Sequence, residues 1–438
     1  MYTKLIKLLN FLSLLASTSL LIFFNKHRLV SIILIILIFL RLISAFHKNE
    51  SCLIKISILS AFASSLFLYI TDTHILILRL ATFLSLYSSI ILFYDLIRLR
   101  SNNKVFFSSL LKIILYLITI AFIFVSLSLN FFTHYPRFLI ILGQELLGAK
   151  VTASRESYIS KNNHLIHKNL LYPSNYENNV LDIYQATDSK ATLFFVHGGG
   201  YSVYDKSHRI DYLIRFVNSG YNVININYSL FPNNAYPDTT KQVLDAYSFI
   251  IDNAEIFNID KNKIMLSGDS AGGQLAGQLA LLLSNSEYAN EMGIQIKEEI
   301  KEIKPLAYIG IATMFDPTTA NQTNLAPINW LYDTVLRSYF SSKDLKNSTN
   351  TSQASILNHV TKDFPSSFIS DGNLATFDYQ ARDFDKKLKS LGVESELYLI
   401  ETENIIQHGF ELDANNPYAQ DIFEKQIKFM DKQVKDLD

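Results

Sequence analysis

The stretch Ile264-Met265-Leu266-Ser267-Gly268-Asp269-Ser270-Ala271-Gly272-Gly273 sets an apolar run against a G-x-S-x-G turn. It predicts a strand ending in a turn so tight that the positions two before and two after the serine leave little room for a side chain, hence Gly268 and Gly272. The next segment, Gln274 to Leu283, puts Leu275, Ala276, Leu279, Ala280 and Leu283 on one helical face. A helix is therefore expected to begin at the serine and aim its N-terminus at it. Strand, turn and helix in this order make Ser270 a candidate nucleophile. Alone, the pattern also fits a glycine-rich turn, so the surrounding sequence has to decide.

Upstream, Phe194-Phe195-Val196 runs directly into His197-Gly198-Gly199-Gly200. Consecutive glycines after an apolar strand expose backbone N–H groups. Gly198, Gly199 and Gly200, together with Ala271 just past the serine, are the candidate donors to the oxygen that turns negative when an acyl carbon becomes tetrahedral.

With both motifs in place, roughly the last two-thirds of the chain resembles the hormone-sensitive-lipase-like group of α/β-hydrolases. Asn227-Tyr228-Ser229-Leu230-Phe231-Pro232, followed by Tyr236-Pro237 and Asp245-Ala246-Tyr247, is similar to the group's Y-x-L-x-P-E stretch and the helix after it, with Asn233 where glutamate is usual. The resemblance implies an α/β fold, with a mostly parallel sheet, helices on both faces and a helical lid. It also implies a serine carboxylesterase acting on short or medium acyl esters through a Ser-His-Asp triad and an acyl-enzyme. His408, within Gln407-His408-Gly409-Phe410, matches the group's H-G-F signature and would be the general base, whereas His197 would hold the glycine loop. His164, His167, His208 and His359 lack the position and flanks of a triad member and read as surface or structural residues.

Asp371 follows the short apolar strand Phe368-Ile369-Ser370, at the sheet edge where such folds collect functional groups, and is the expected acid, with Asp378 as the alternative. An aspartate opening an Asp-Gly-Asn turn is also an ordinary turn former. A deacetylase or acyltransferase of envelope glycans or lipids would use the same residues, since water or another nucleophile can resolve an acyl-enzyme. A non-catalytic membrane receptor or transporter with a hydrolase-like binding domain is the reading from a different class.

Strands are expected at Val180–Tyr184, Ala191–Val196, Val223–Asn227, Ile264–Ser267, Ala307–Ile311, Phe368–Ser370 and Glu396–Ile400, alternating with helical patterns. An insertion over about 316–361 carries Trp330, Leu331, Tyr332, Val335, Leu336, Tyr339 and Phe340. This stripe predicts either a lid over the serine or packing of the insertion on itself. Trp330 and Tyr332, with Tyr201 and Asp269 beside the two motifs, are the candidate substrate contacts.

The first third has a different composition. Apolar stretches near Leu5–Phe24, Leu29–Phe46, Leu53–Ile70, Ile75–Ile97 and Val105–Phe132 each approach or exceed the ~20 residues that cross a bilayer. The expected organisation is a transmembrane region of about five helices over 1–132, a membrane-proximal helix and linker over 133–169, and a catalytic domain over 170–438. Leu5–Phe24 is long for a signal-peptide core and has no small-x-small site after it, so it reads as retained. Lys4, Lys7, Lys48, Arg98, Arg100 and Lys104 fit a cytoplasmic N-terminus and, with an odd number of spans, an extracytoplasmic enzyme in the cell membrane; Lys26 and Arg28 count the other way.

Within Thr133–Lys150, the apolar residues Phe138 to Leu142 and Leu146-Leu147 predict a helix at the membrane interface or packed on the enzyme. It is a candidate for the place that a cap N-terminal to the core takes in soluble relatives.

A formal net charge of -1 and the lack of a long basic run speak against nucleic acid as a partner. The single Cys52 leaves no disulfide framework or thiolate metal site, and no HExxH or dinucleotide glycine motif is present, so no metal or cofactor is expected. The expected partners are an acyl ester, whether small molecule, lipid or glycan, and the lipid bilayer. Nothing in the sequence sets an oligomeric state.

Overall fold

A computed structural model describes Phe132 and residues 135–147, 156–159 and 164–437 of the chain. The five expected spans, apart from Phe132, lie outside the described residues. No helix among the described residues is long and apolar enough to cross a membrane. By contact the chain divides into residues 1–138 with 325–330 and residues 139–324 with 331–438. The second unit carries the sheet and the site described below.

Nine strands form one sheet: β1 (Glu156–Ile159), β2 (Leu165–Leu171), β3 (Val180–Gln185), β4 (Ala191–Val196), β5 (Tyr221–Ile226), β6 (Ile264–Asp269), β7 (Ala307–Ile311), β8 (Ser367–Asp371) and β9 (Ser395–Leu399). Their spatial order is β1-β2-β3-β5-β4-β6-β7-β8-β9. The first three pairings are antiparallel, and every pairing from β5-β4 to β8-β9 is parallel. All seven strands expected from sequence are present, with ends shifted by a residue or two.

The sheet begins ahead of the boundary set at residue 170, because β1 and β2 belong to it. Both lie toward one edge, and the polar residues His167, Lys168 and Asn169 interrupt the alternation in β2 near a register shift.

The central strands β4, β5 and β6 are buried along their whole lengths, as expected of parallel strands covered on both faces. Alternate residues of β4 feed two cores: Phe194 and Val196 pack on one face, and Leu193 and Phe195 on the other. Burying each such side chain contributes about 1.5–3 kcal/mol. The longer helices are α1 (Pro136–Leu147), α2 (Ile210–Asn218), α3 (Asp238–Asp252), α4 (Ala271–Ser284), α5 (Ala326–Tyr339), α6 (Asp378–Ser390) and α7 (Pro417–Leu437). Helices α3, α4 and α6 cover the first core and α2 and α7 the second.

The parallel register brings the C-terminal ends of β4, β6 and β8 to one edge of the sheet. Beyond those ends lie the glycine loop, Ser270 and the Asp371 turn.

Candidate active site

Ser270 sits between β6 and α4 at φ 53° and ψ −119°, a conformation that a side-chain-bearing residue adopts at a cost of about 1–3 kcal/mol. The turn is held by Ser270 N donating to Ile311 O at 2.8 Å. It is possible only because the flanking glycines lack Cβ. A Cβ on Gly272 would lie 2.1 Å from the Val196 carbonyl oxygen, and one on Gly268 would lie 2.5 Å from Gly272 backbone.

His408 Nε2 lies 2.9 Å from Ser270 Oγ. The loop bearing His408 is pinned to the Asp371 turn by backbone pairing: Leu374 N donates to Ile406 O at 3.0 Å and His408 N to Leu374 O at 3.1 Å. Asn373 Oδ1 accepts from Ile406 N at 2.9 Å. The Asp371-Gly372-Asn373 turn thus positions the histidine as well as reversing the chain.

Asp371 Oδ1 stands 3.7 Å from His408 Nδ1, an ion-pair distance longer than a hydrogen bond. Its oxygens meanwhile accept from Gly372 N and Phe377 N, both at 2.8 Å. Asp378, the alternative acid, begins α6, and its Oδ1 accepts from Thr376 Oγ1. Among the described residues no hydrogen bond or ion pair joins Asp378 to His408. The structure therefore brings Ser270, His408 and Asp371 together and leaves Asp378 aside.

Burial pulls the His408 pKa down, but the attraction of Asp371, with Glu411 and Asp269 farther off, more than offsets it and holds the imidazole above its ordinary value. His197 goes the other way, lowered by burial to about 4, and stays neutral. Its Nδ1 lies 2.8 Å from Gly198 O, and its ring stacks on Tyr228 at 4.5 Å. His197 is placed within the glycine loop, away from Ser270.

The glycine loop divides its duties differently from the sequence expectation. Gly198 N donates to Asp269 Oδ1 at 2.9 Å, so this amide is spent inside the protein and is not an oxyanion donor. Among the described residues, Gly199 N, Gly200 N and Ala271 N show no such partner, and both glycines line the cavity that contains Ser270. The loop takes a left-handed course at Gly199 (φ 112°) and Gly200 (φ 58°), which glycine accommodates without strain.

Asp269 lines the same cavity, but its carboxylate is already engaged. Arg209 donates to it twice, Nε to Oδ1 at 2.9 Å and a terminal nitrogen to Oδ2 at 2.7 Å. Burial would raise the Asp269 pKa, yet Arg209 and the Gly198 amide outweigh burial and hold the carboxyl below its usual range. The residue beside the nucleophile is thus a clamp between Arg209 and the glycine loop. Asp269→Ala would leave a buried guanidinium and an unpaired amide, and is expected to cost about 3–5 kcal/mol of stability, read from urea unfolding; an unchanged midpoint would show that the pair is not holding the fold.

Tyr201 also differs from expectation as a substrate contact. It is wholly buried, stacked on Tyr339 at 3.9 Å, and its hydroxyl donates to Gln274 at 2.9 Å. A positive φ of 62° accompanies this inward course, which a sequence motif does not reveal.

Above Ser270 lies a cavity of about 490 Å³, within the range of small-molecule sites. Leu331, Tyr332, Val335 and Leu336 of α5 form one wall. Tyr332 stacks on Phe377 and approaches His408 at 6.5 Å between ring centres. The predicted stripe therefore splits, since Tyr339 and Phe340 pack into the core while the four residues before them face the cavity. Trp330 belongs to the other contact unit.

Helix α1 also lines the cavity, through Leu139, Ile140, Gly143 and Leu147. Gln144 fixes this helix by donating to Ser202 O at 2.8 Å and Phe231 O at 2.9 Å.

Sequence reasoning did not find Arg209, Gln144 or Glu411. Glu411 is buried against the base of the site, where its Oε1 accepts from Ser370 Oγ at 2.7 Å. Burial first, and the nearby Asp371 second, push its pKa up to about 8. The only sequence signal was its place three residues after His408 in H-G-F-E.

A model of the BD-FAE family matches residues 181–410. Over 98 residues the chain is 34% identical to lipase 2 of Moraxella sp. (strain TA144), covering 22% of each chain. Over 100 residues it is 36% identical to an acetyl esterase of Salmonella paratyphi B, covering 22% of this chain and 30% of that protein. These matches span less than a third of the relatives' own lengths. The crystal structure of esterase B from Lactobacillus rhamnosis (HN001) superposes with a TM-score of 0.56 at 15% identity, over 71% of this chain and 96% of that one. At that identity the likeness establishes a shared α/β-hydrolase fold.

Proposed function

From the premise that this chain belongs to the BD-FAE family of α/β-hydrolases, we propose that it is a membrane-anchored carboxylesterase cleaving short or medium acyl esters. The observation that carries the reading is the 2.9 Å approach of His408 Nε2 to Ser270 Oγ, both lining a largely apolar cavity. His408 takes the Ser270 proton as the oxygen attacks the ester carbonyl, then returns it to the departing alcohol. The N–H groups of Gly199, Gly200 and Ala271 receive the negative oxygen, and Asp371 stabilises the imidazolium. Water, activated by the same histidine, releases the acid. The acetyl esterase and lipase names of the sequence relatives favour an acyl ester over a peptide. The apolar stretches before residue 132 and the distribution of Lys and Arg around them favour a multi-pass anchor with the enzyme outside the cytoplasm.

The test is hydrolysis of p-nitrophenyl acetate, butyrate and octanoate by the full-length chain across pH. Because the base must be neutral and Asp371 holds its pKa up, the acidic limb should lie above the ordinary imidazole value, with activity lost below it. A limb below that value would contradict the assigned pairing, and absence of turnover with every ester would contradict the esterase.

A further inference from the structure

We propose that the outer face of α1 docks on a phospholipid bilayer, so that the cavity receives esters whose acyl chains reside in the lipid phase. This rests on the esterase reading above and adds the source of the substrate.

Helix α1 has two apolar faces. Leu139, Ile140 and Gly143 turn toward the cavity, and Ile140 is only 2% exposed. On the other side Ile141, Leu142 and Leu146 stand 46%, 46% and 74% exposed. A helix face turned to water usually carries polar side chains, and a cluster of exposed large apolar ones marks a surface for a partner or lipid. Between Leu139 and Leu147 the only charged residue is Glu145, which is exposed on the same outer side, so three of the four exposed residues from Ile141 to Leu146 are large and apolar. Gln144, the other polar side chain of this stretch, is spent on Ser202 and Phe231 and fixes which face points outward.

Chain connectivity names the occupant. The last long apolar stretch ends at Phe132, and the step from there to Leu139 spans at most roughly 25 Å even when fully extended. A helix so tethered lies within reach of the membrane surface, where a helix with exposed apolar residues buries them at the headgroup boundary. The docking face is also continuous with the cavity. Leu147 both lines it and is 47% exposed, so the cavity wall reaches the surface beside Leu146. An acyl chain could pass from the bilayer to Ser270 along one helix.

The test uses the full-length chain reconstituted in phosphatidylcholine vesicles. In Leu146→Trp, the emission added over wild type should be quenched when the acyl chains are brominated. The double variant Ile141→Glu, Leu146→Glu should lose about tenfold or more of its rate on bilayer-dissolved p-nitrophenyl laurate, a medium-chain ester, while p-nitrophenyl acetate turnover stays within about twofold. Equal rates on the vesicle-borne ester, or no bromine quenching, would overturn the docking face; the latter would leave a segment of this chain as its cover. If both esters slow together because the variant is misfolded, the quenching result decides alone. Failure of the wild type on p-nitrophenyl acetate would sink the esterase reading instead, whatever Leu146→Trp reports.

Discussion

Ser270→Ala is expected to lower kcat for p-nitrophenyl butyrate by on the order of 10⁴–10⁶-fold while leaving the thermal transition within a few degrees of wild type. The loss is large because attack, proton transfer and acyl-enzyme formation all pass through one oxygen. His408 has no other nucleophile within hydrogen-bond distance among the described residues. Stability should hardly change, since one hydroxyl is removed and no packing volume, and alanine inherits the same strained backbone at φ 53°. A variant that keeps its activity would show that the elbow is only a tight turn.

The second large effect separates the two aspartates. Asp371→Asn should reduce kcat by about 10⁴-fold, because an amide neither stabilises the imidazolium nor favours the productive tautomer. Asp378→Asn should stay within about twofold, since its carboxylate serves only the start of α6. Asp371→Asn should also lose some stability, because its oxygens accept the Gly372 and Phe377 amides and one position would become a donor facing a donor. Measuring kcat together with unfolding for both variants keeps the two effects apart. The opposite ranking would move the acid to Asp378.

What the sequence revealed was chemistry written into local backbone. Gly268 and Gly272 are dictated by a turn that admits no Cβ, and the elbow could be read before any fold was known. Asp371 was legible as the end of a buried strand. The contacts that assign duties between motifs were not. Gly198 and Asp269 sit in separate motifs, and only the folded sheet shows the first spending its amide on the second while Arg209 completes the clamp.

Tyr201 looked available because it follows the glycines, yet the chain turns it under the loop onto Tyr339. Strands β1 and β2 escaped notice because their apolar alternation is short or broken by polar residues. The helix around Gln144 was visible as an apolar segment. Its placement against the cavity depends on hydrogen bonds to Ser202 and Phe231, far along the chain.

Whether Ser270 is the activated nucleophile is tested by treating the full-length chain with a fluorophosphonate and locating the adduct by mass spectrometry of its peptides. A single phosphonylated residue, Ser270, is expected, with no adduct in Ser270→Ala; a folded chain that remains unlabelled, or carries the label on another serine, would contradict the assignment of Ser270 as nucleophile.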